Sequence, residues 1–134
     1  MTKQIEEYTK QHNIFIDNIR MKTKALCVEV DNEYHIAVDE KQFESASELN
    51  TAKLHEIGHC ESGYLYNADS TQLYKDKCEY QADKWAITHF LNKGELLSYF
   101  KQNYQKWEIA EVYGITEEFL NKAINYFWSV NYAE

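Results

Sequence analysis

The spacing of apolar residues divides the chain into a short N-terminal part of mixed structure and a longer part with helical periodicity. Alternating apolar and β-branched residues predict strands at 25–30 and 33–38. Between them lies Asp31-Asn32, a two-residue turn signal, so we predict a β-hairpin. Upstream, residues 2–12 have a helical pattern, and the apolar run 14–16 is either a strand or the approach to one.

Two long helices follow the predicted hairpin. Ser45 and Glu48 have the spacing of a capping box, which begins a helix that frays at about 60–63. The second helix is predicted from about 70 to 92, with Gly94 as its C-terminal cap. Helix, small antiparallel sheet and further helices together indicate an α+β fold.

The chain has 134 residues, no proline and no Gly- or Ser-rich linker, so we predict one domain over 1–134. Within it, residues 1–44 form the N-terminal helix and hairpin, 45–92 form the two long helices, and 94–134 form a helical C-terminal part.

His55, Glu56 and His59 form an HExxH motif inside the first long helix. Residues four apart lie on one face of a helix, so both imidazoles can bind one metal ion. Neutral histidine is a good zinc ligand, and a neighbouring carboxylate can take a proton from zinc-bound water. The motif therefore predicts a zinc hydrolase with one zinc ion per chain and Glu56 as general acid/base, although a surface helix rich in His and Glu can also contain this pattern.

A catalytic zinc ion needs a third protein ligand, and the second long helix contains the best candidate. Glu79 and Asp83 share a helix face that is otherwise small and apolar, where Ala82 would allow close packing. We predict Glu79 as the third ligand and Asp83 as acceptor of the outer N–H of His55 or His59. A solvated acidic face is the alternative. Gly58 is explained if another backbone approaches the helix beside the metal.

Peptide hydrolysis also needs a donor that stabilises the oxyanion. Tyr64, Tyr66, His35 and His89 are candidates, and each can equally be an ordinary surface residue. An edge strand beside the active helix would pair with extended substrate, and strand 33–38 is the candidate for that edge.

The net charge and the cysteine content indicate which partners and which cellular compartment suit the protein. A net charge of −8 argues against direct nucleic-acid binding and suits a basic protein partner. The N-terminus lacks the features of a signal peptide, and no apolar run is long enough to span a membrane, so we expect a cytoplasmic protein. Three cysteines argue against a full disulfide framework. Cys60 and Cys78 flank predicted ligands and are expected to be small buried thiols, with Cys78 as an alternative third ligand.

These motifs resemble the ImmA/IrrE family of zinc metallopeptidases in its small phage and mobile-element form. The resemblance rests on His55-Glu56-Ile57-Gly58-His59 and on Glu79-Tyr80-Gln81-Ala82-Asp83-Lys84-Trp85-Ala86. It implies a gluzincin-like mini-zincin in the bacterial cytoplasm, with His55, His59 and Glu79 as zinc ligands and Glu56 as catalyst. It also implies a substrate: a DNA-binding helix-turn-helix repressor whose cleavage would derepress phage or mobile-element genes.

Two other functions fit parts of the chain. A non-catalytic, zinc-stabilised anti-repressor would use the same ligands without turnover. Residues 107–126 also resemble a helix-turn-helix, with Gly114 at the turn and Thr116 as a helix cap, so a DNA-binding regulator is possible. Against it, Glu117 and Glu118 place negative charge where phosphates would lie.

Overall fold

The computed structural model describes residues 1–129, and in them the fold is α+β, which confirms the predicted class. The last five residues of the predicted C-terminal part, 130–134, lie outside the described residues. The strands are β1 (Ile14–Asn18), β2 (Ala25–Val30) and β3 (Glu33–Val38). The helices are α1 (Thr2–Gln11), α2 (Ala46–Ser62), α3 (Gln72–Phe90), α4 (Lys93–Lys101), α5 (Lys106–Tyr113) and α6 (Glu117–Ile124), followed by a π-helical turn at Asn125–Ser129.

The sheet is mixed, with strand order β1-β3-β2. The predicted hairpin of β2 and β3 is confirmed, with Asp31 and Asn32 both at positive φ in its turn. The small sheet, predicted to be antiparallel, is mixed instead, because β1 pairs with β3 in parallel and places Ile16 beside the buried Ile36. For the same reason β3 is the central strand, and the prediction that 33–38 forms the substrate edge is wrong. The edge strand that contacts α2 is β2, which pairs only with β3 in the described part of the chain.

Side-chain caps determine where the two long helices begin. Ser45 accepts a hydrogen bond from the backbone N–H of Glu48 at 3.1 Å, as predicted. The carboxylate of Glu48 accepts instead from the backbone N–H of Glu44, one residue before the cap, at 3.0 Å. Helix α3 begins after Thr71, whose hydroxyl accepts from the backbone N–H of Tyr74.

The end of α3 differs from the prediction. The helix stops at Phe90, and Leu91 is extended. The side chain of Asn92 then accepts from the backbone N–H of Glu95 at 2.9 Å and begins α4 at once. Gly94 therefore lies inside α4, so its prediction as the cap of α3 is wrong.

Helices α2 and α3 pack at unusually short range because Gly58 has no side chain. A Cβ atom at Gly58 would lie 2.1 Å from the carbonyl oxygen of Ala82. Ala82 and Ala86 are fully buried in this contact region. The predicted close backbone approach at Gly58 is thus confirmed, and it sets the distance between the side chains that the two helices present to each other.

The core lies between the sheet and the helices. Large side chains with no more than 2% exposure fill it: Ile36, Leu54, Ile57, Ile87, Leu96, Ile109, Ile115 and Leu120. Within residues 1–129, none of the helices has the length and apolar character that crossing a membrane requires.

The C-terminal helix pair closes one side of this core. Helix α5 ends at Gly114, whose positive φ of 69° reverses the chain, and Thr116 caps α6 as predicted. Phe119, Leu120 and Ala123 are buried, so α6 presents its apolar face to the rest of the domain. Glu117 and Glu118 are exposed at its beginning.

Candidate metal centre

Helix α2 presents His55 and His59 one turn apart, with their rings turned towards each other. Their Nε2 atoms lie 3.0 Å apart. His59 is buried, whereas the side chain of His55 keeps 22% of its surface exposed. This is the convergence that the i, i+4 spacing predicts.

Helix α3 brings Glu79 against both rings. Its Oε2 lies 2.7 Å from Nε2 of His55, and its Oε1 lies 2.9 Å from Nε2 of His59. The three candidate ligand atoms all lie within 4.8 Å of one another. In the described residues this is the one group of three or more His, Cys, Asp or Glu side chains that can hold a metal ion.

Each imidazole is oriented through its other nitrogen. Oδ1 of Asp83 lies 2.7 Å from Nδ1 of His55, and the backbone carbonyl of Tyr64 lies 2.8 Å from Nδ1 of His59. A carbonyl oxygen can only accept a hydrogen bond, so Nδ1 of His59 carries a hydrogen and Nε2 is the ring nitrogen that faces Glu79 as the candidate ligand atom. Outer partners of this kind set the tautomer and ring orientation of metal-binding histidines.

The donor set therefore fits a divalent metal. Two imidazole nitrogens and one carboxylate leave one coordination position for water or substrate. The site lies beside a cavity of about 300 Å³ lined by β2 residues Ala25, Leu26 and Cys27, so a substrate can reach it.

Without a metal ion, a proton stabilises the cluster. Burial opposes the charge on His55, but the carboxylates of Asp83 and Glu79 outweigh it and raise the pKa of His55 to about 10. The hydrogen bond from His55 lowers the pKa of Glu79 to about 2 despite partial burial. Asp83 also has a lowered pKa, because His55 and Lys122 outweigh the effect of burial.

Glu56 lies next to the ligands but does not join them. It is half-buried and lines both cavities that flank the cluster. Burial raises its pKa, and the neighbouring His55 and His59 partly oppose that rise. A carboxylate with a raised pKa beside a metal site suits the transfer of protons.

The four candidate oxyanion donors lie in different places. The Tyr66 hydroxyl donates to Oε1 of Glu79 at 2.9 Å, which raises the pKa of Tyr66 to about 12, and the residue lines the cavity. Tyr64 contributes its backbone carbonyl. His35 stacks on Phe15 in the sheet, and the exposed His89 stacks on Trp85, so the structure does not bring these two histidines to the cluster.

Cysteines contribute a covalent link beside the site. Cys60, which directly follows His59, forms a disulfide with Cys27 of β2. The prediction that Cys60 is a free thiol is therefore wrong, while Cys78 is free and buried as predicted. Cys78 is not part of the metal-binding group.

Three further contacts at the candidate metal centre could not be predicted from the sequence. The Tyr64 carbonyl is a backbone atom that any residue could supply. Lys122, whose Nζ lies 3.1 Å from Oδ2 of Asp83, is 39 residues away from it in the chain. Cys27 pairs with a cysteine 33 residues away, and cysteine spacing alone does not reveal connectivity.

Comparison with known proteins agrees with this geometry. The model of the peptidase family described as IrrE N-terminal-like domain, Peptidase_M78, matches residues 32–125. The matched region begins just before β3 and ends just after α6, so it includes the whole candidate metal centre. No curated protein and no solved structure matches the chain.

Proposed function

The chain belongs to the Peptidase_M78 family of IrrE N-terminal-like domains, and we propose that it is a zinc-dependent endopeptidase acting on a specific protein. One observation carries the proposal: Nε2 of His55, Nε2 of His59 and the carboxylate of Glu79 converge next to Glu56 and beside β2, whose outer edge pairs with no strand in residues 1–129. We propose one zinc ion per chain, held by these three side chains.

The free edge of β2 suits an extended substrate. Strand addition satisfies the backbone hydrogen bonds of both chains and gives affinity without requiring a particular sequence. A peptide paired with β2 at Ala25 and Cys27 would lie over the cavity that contains His55, His59 and Glu79.

The reaction divides between the zinc ion and the side chains. Zinc held by His55, His59 and Glu79 would supply Lewis-acid chemistry, polarising the scissile carbonyl and lowering the pKa of the attacking water. Glu56 takes the proton of that water and passes it to the leaving amine. Asp83 fixes the orientation of the His55 ring, and the Tyr64 carbonyl fixes that of the His59 ring. Tyr66 is the best placed of the four oxyanion donors, because its hydroxyl lies at the cluster and the side chain is exposed enough to move.

For the substrate we propose a helix-turn-helix repressor in the bacterial cytoplasm, whose cleavage derepresses genes of a phage or mobile element. The family resemblance and the net charge of −8, which suits a basic DNA-binding protein, support this choice. Direct DNA binding by α5 and α6 is less well supported, because exposed Glu117 and Glu118 begin α6 and its apolar face is buried.

The decisive experiment combines metal content with cleavage. Zinc is measured by elemental analysis after dialysis for wild type, Glu79→Ala and Glu56→Gln. Cleavage of repressors encoded by neighbouring genes is followed by mass spectrometry. We expect one zinc per wild-type chain, loss of zinc in Glu79→Ala, and retained zinc without cleavage in Glu56→Gln. Glu111→Gln, which changes an exposed helical glutamate, is the matched control.

The outcomes separate the candidate functions. A wild-type protein that takes up no zinc, even after reloading, rules out the metallopeptidase. Zinc uptake with repressor binding but no cleavage identifies the non-catalytic anti-repressor instead.

A further inference from the structure

A second cavity, of about 360 Å³, opens on the His55 side of the cluster. We call it the α6 groove, because Thr116, Glu118, Phe119 and Lys122 of the α6 region form one wall. His55, Glu56 and Ala25 line both this groove and the cavity beside Glu79. The two cavities are thus neighbouring parts of one surface along β2.

The direction of β2 decides which part of a substrate would reach the groove. Lys24 and Ala25, at the beginning of the strand, line the α6 groove, whereas Cys27 lines the other cavity. A peptide that pairs antiparallel with β2, the commoner arrangement of adjacent strands, runs from Cys27 towards Ala25. It passes the metal ligands first and the α6 groove afterwards. The groove therefore holds the side chain on the C-terminal side of the scissile bond.

The groove combines apolar surface with the charged side chains of Lys24, Glu48, Glu118 and Lys122. Phe43, Ala52 and Phe119 contribute aromatic and methyl surface. Backbone and hydroxyl groups of the wall are already paired with one another. The N–H of Thr116 donates to Thr51 at 3.0 Å, and the N–H of Phe119 donates to the Thr116 hydroxyl at 3.1 Å. These backbone and hydroxyl groups are therefore already satisfied, and the exposed Lys24 and Glu118 can keep their charges in solvent while an apolar side chain occupies the groove.

The α6 wall of the groove is also connected to the metal-binding cluster through Lys122 and Asp83. Lys122 Nζ donates to Oδ2 of Asp83 at 3.1 Å, and Oδ1 of the same carboxylate lies 2.7 Å from Nδ1 of His55. Helix α6 is thereby held at a defined distance from a metal ligand, which a specificity pocket requires.

We propose that the α6 groove is the specificity pocket for a large apolar side chain immediately C-terminal to the cleaved bond. The inference rests on the proposed peptidase function and adds the class of residue that the enzyme selects. It also assigns a role to the C-terminal helix pair: the start of α6, together with Phe43 and Ala52, bounds the space that a side chain can occupy.

The test uses small metal-binding hydroxamates, so it does not depend on knowing the substrate. Four compounds carry hydrogen, methyl, isobutyl or benzyl at the position next to the metal-binding group. Their dissociation constants for the zinc-loaded protein are measured by calorimetry. For wild type we expect affinity to rise at least about tenfold from hydrogen to isobutyl, since each buried methylene contributes about 0.8 kcal/mol.

Ala52→Met fills the groove and should abolish the rise in affinity from the unsubstituted to the isobutyl compound. Ala46→Met is the matched control, because it places the same side chain on an exposed position of α2 outside the groove. Phe43→Ala provides a second variant that removes apolar surface, and it should weaken isobutyl binding by about fivefold or more.

Each outcome decides a separate claim. Equal affinity for all four compounds in wild type, or a rise that survives in both groove variants, overturns the pocket and leaves the proposed peptidase intact. A protein that takes up no zinc, or whose zinc binds none of the hydroxamates, overturns the proposed function and the pocket with it.

Discussion

Replacing Gly58 by alanine tests whether the helix contact determines the geometry of the metal centre. The added Cβ would lie 2.1 Å from the carbonyl oxygen, 2.8 Å from the carbonyl carbon and 3.1 Å from the Cα atom of Ala82. Ordinary contact between such atoms needs about 3.5 Å. All three atoms belong to the backbone, so no side-chain rotation relieves the overlap, and α2 and α3 must separate by roughly 1 Å.

Two opposing free-energy terms result. Overpacking of a core costs about 1–3 kcal/mol, and a backbone obstacle places this site at the upper end. Alanine is favoured over glycine inside a helix by about 1 kcal/mol. We therefore expect the free energy of unfolding to fall by about 2 kcal/mol in urea denaturation of the metal-free protein.

Zinc binding should be affected as well. Glu79 lies on α3, at 2.7 and 2.9 Å from the two imidazoles on α2. Metal sites tolerate deviations of only about 0.2 Å in ligand distance, so a helix shift of roughly 1 Å should raise the zinc dissociation constant more than about tenfold.

Gly94→Ala is the matched control for this substitution. It also adds a methyl group to a helical glycine, but there the Cβ would meet only Asn92 Oδ1, at 3.1 Å, at the end of a side chain. We expect its stability to change by no more than about 1 kcal/mol and its zinc affinity to be unchanged. The reasoning is refuted if Gly58→Ala unfolds at the wild-type urea concentration and binds zinc as tightly as wild type.

Three other predictions concern the surroundings of the cluster. Asp83→Asn removes the charged partner of His55 and should weaken zinc binding by about 10- to 100-fold in competition titrations, with Asp76→Asn on the exposed part of α3 unchanged. In the metal-free protein the raised pKa of His55, about 10, contributes stability that is complete below the unfolded value near 6.5 and is lost as pH rises towards 10. The urea midpoint should therefore fall between about pH 7 and about pH 10, and a flat profile would count against the proton on His55. Replacing Cys27 and Cys60 together by alanine removes a disulfide that joins residues 33 apart in the chain, and under oxidising conditions it should lower the free energy of unfolding by roughly 3–4 kcal/mol. Under strong reductant, wild type and the double variant should unfold at the same urea concentration.

Periodicity predicted much of the fold because it records which face of an element is buried. The alternation in 25–38 predicted the hairpin, and the four-residue spacings predicted that His55 and His59 on α2, and Glu79 and Asp83 on α3, share a helix face. Gly58 added a tertiary constraint, since a glycine inside a helix indicated close backbone approach.

The rest depended on information that side-chain patterns do not contain. Nothing in the run 14–16 specifies that β1 pairs in parallel with β3, yet that pairing makes β3 the central strand and leaves β2 as the edge strand beside α2. Asn92 begins α4 directly after α3, and a local cap of this kind outweighed the expectation for Gly94. The contact of Lys122 with Asp83 joins helices that are far apart in sequence.

The adjacent residues His59 and Cys60 connect α2 to two different neighbours. Through His59, α2 reaches Glu79 of α3, and through Cys60 it is covalently bound to β2. Chelation of the proposed zinc ion would weaken the first connection and leave the disulfide intact, whereas reduction would open the disulfide and leave the three candidate ligands in place. Amide hydrogen exchange should therefore distinguish the two connections. Chelation should accelerate exchange in α3 and in the 63–71 segment, and reduction should accelerate it in β2. The peptide bond between His59 and Cys60 is therefore the point at which the candidate metal centre and the candidate substrate edge are joined.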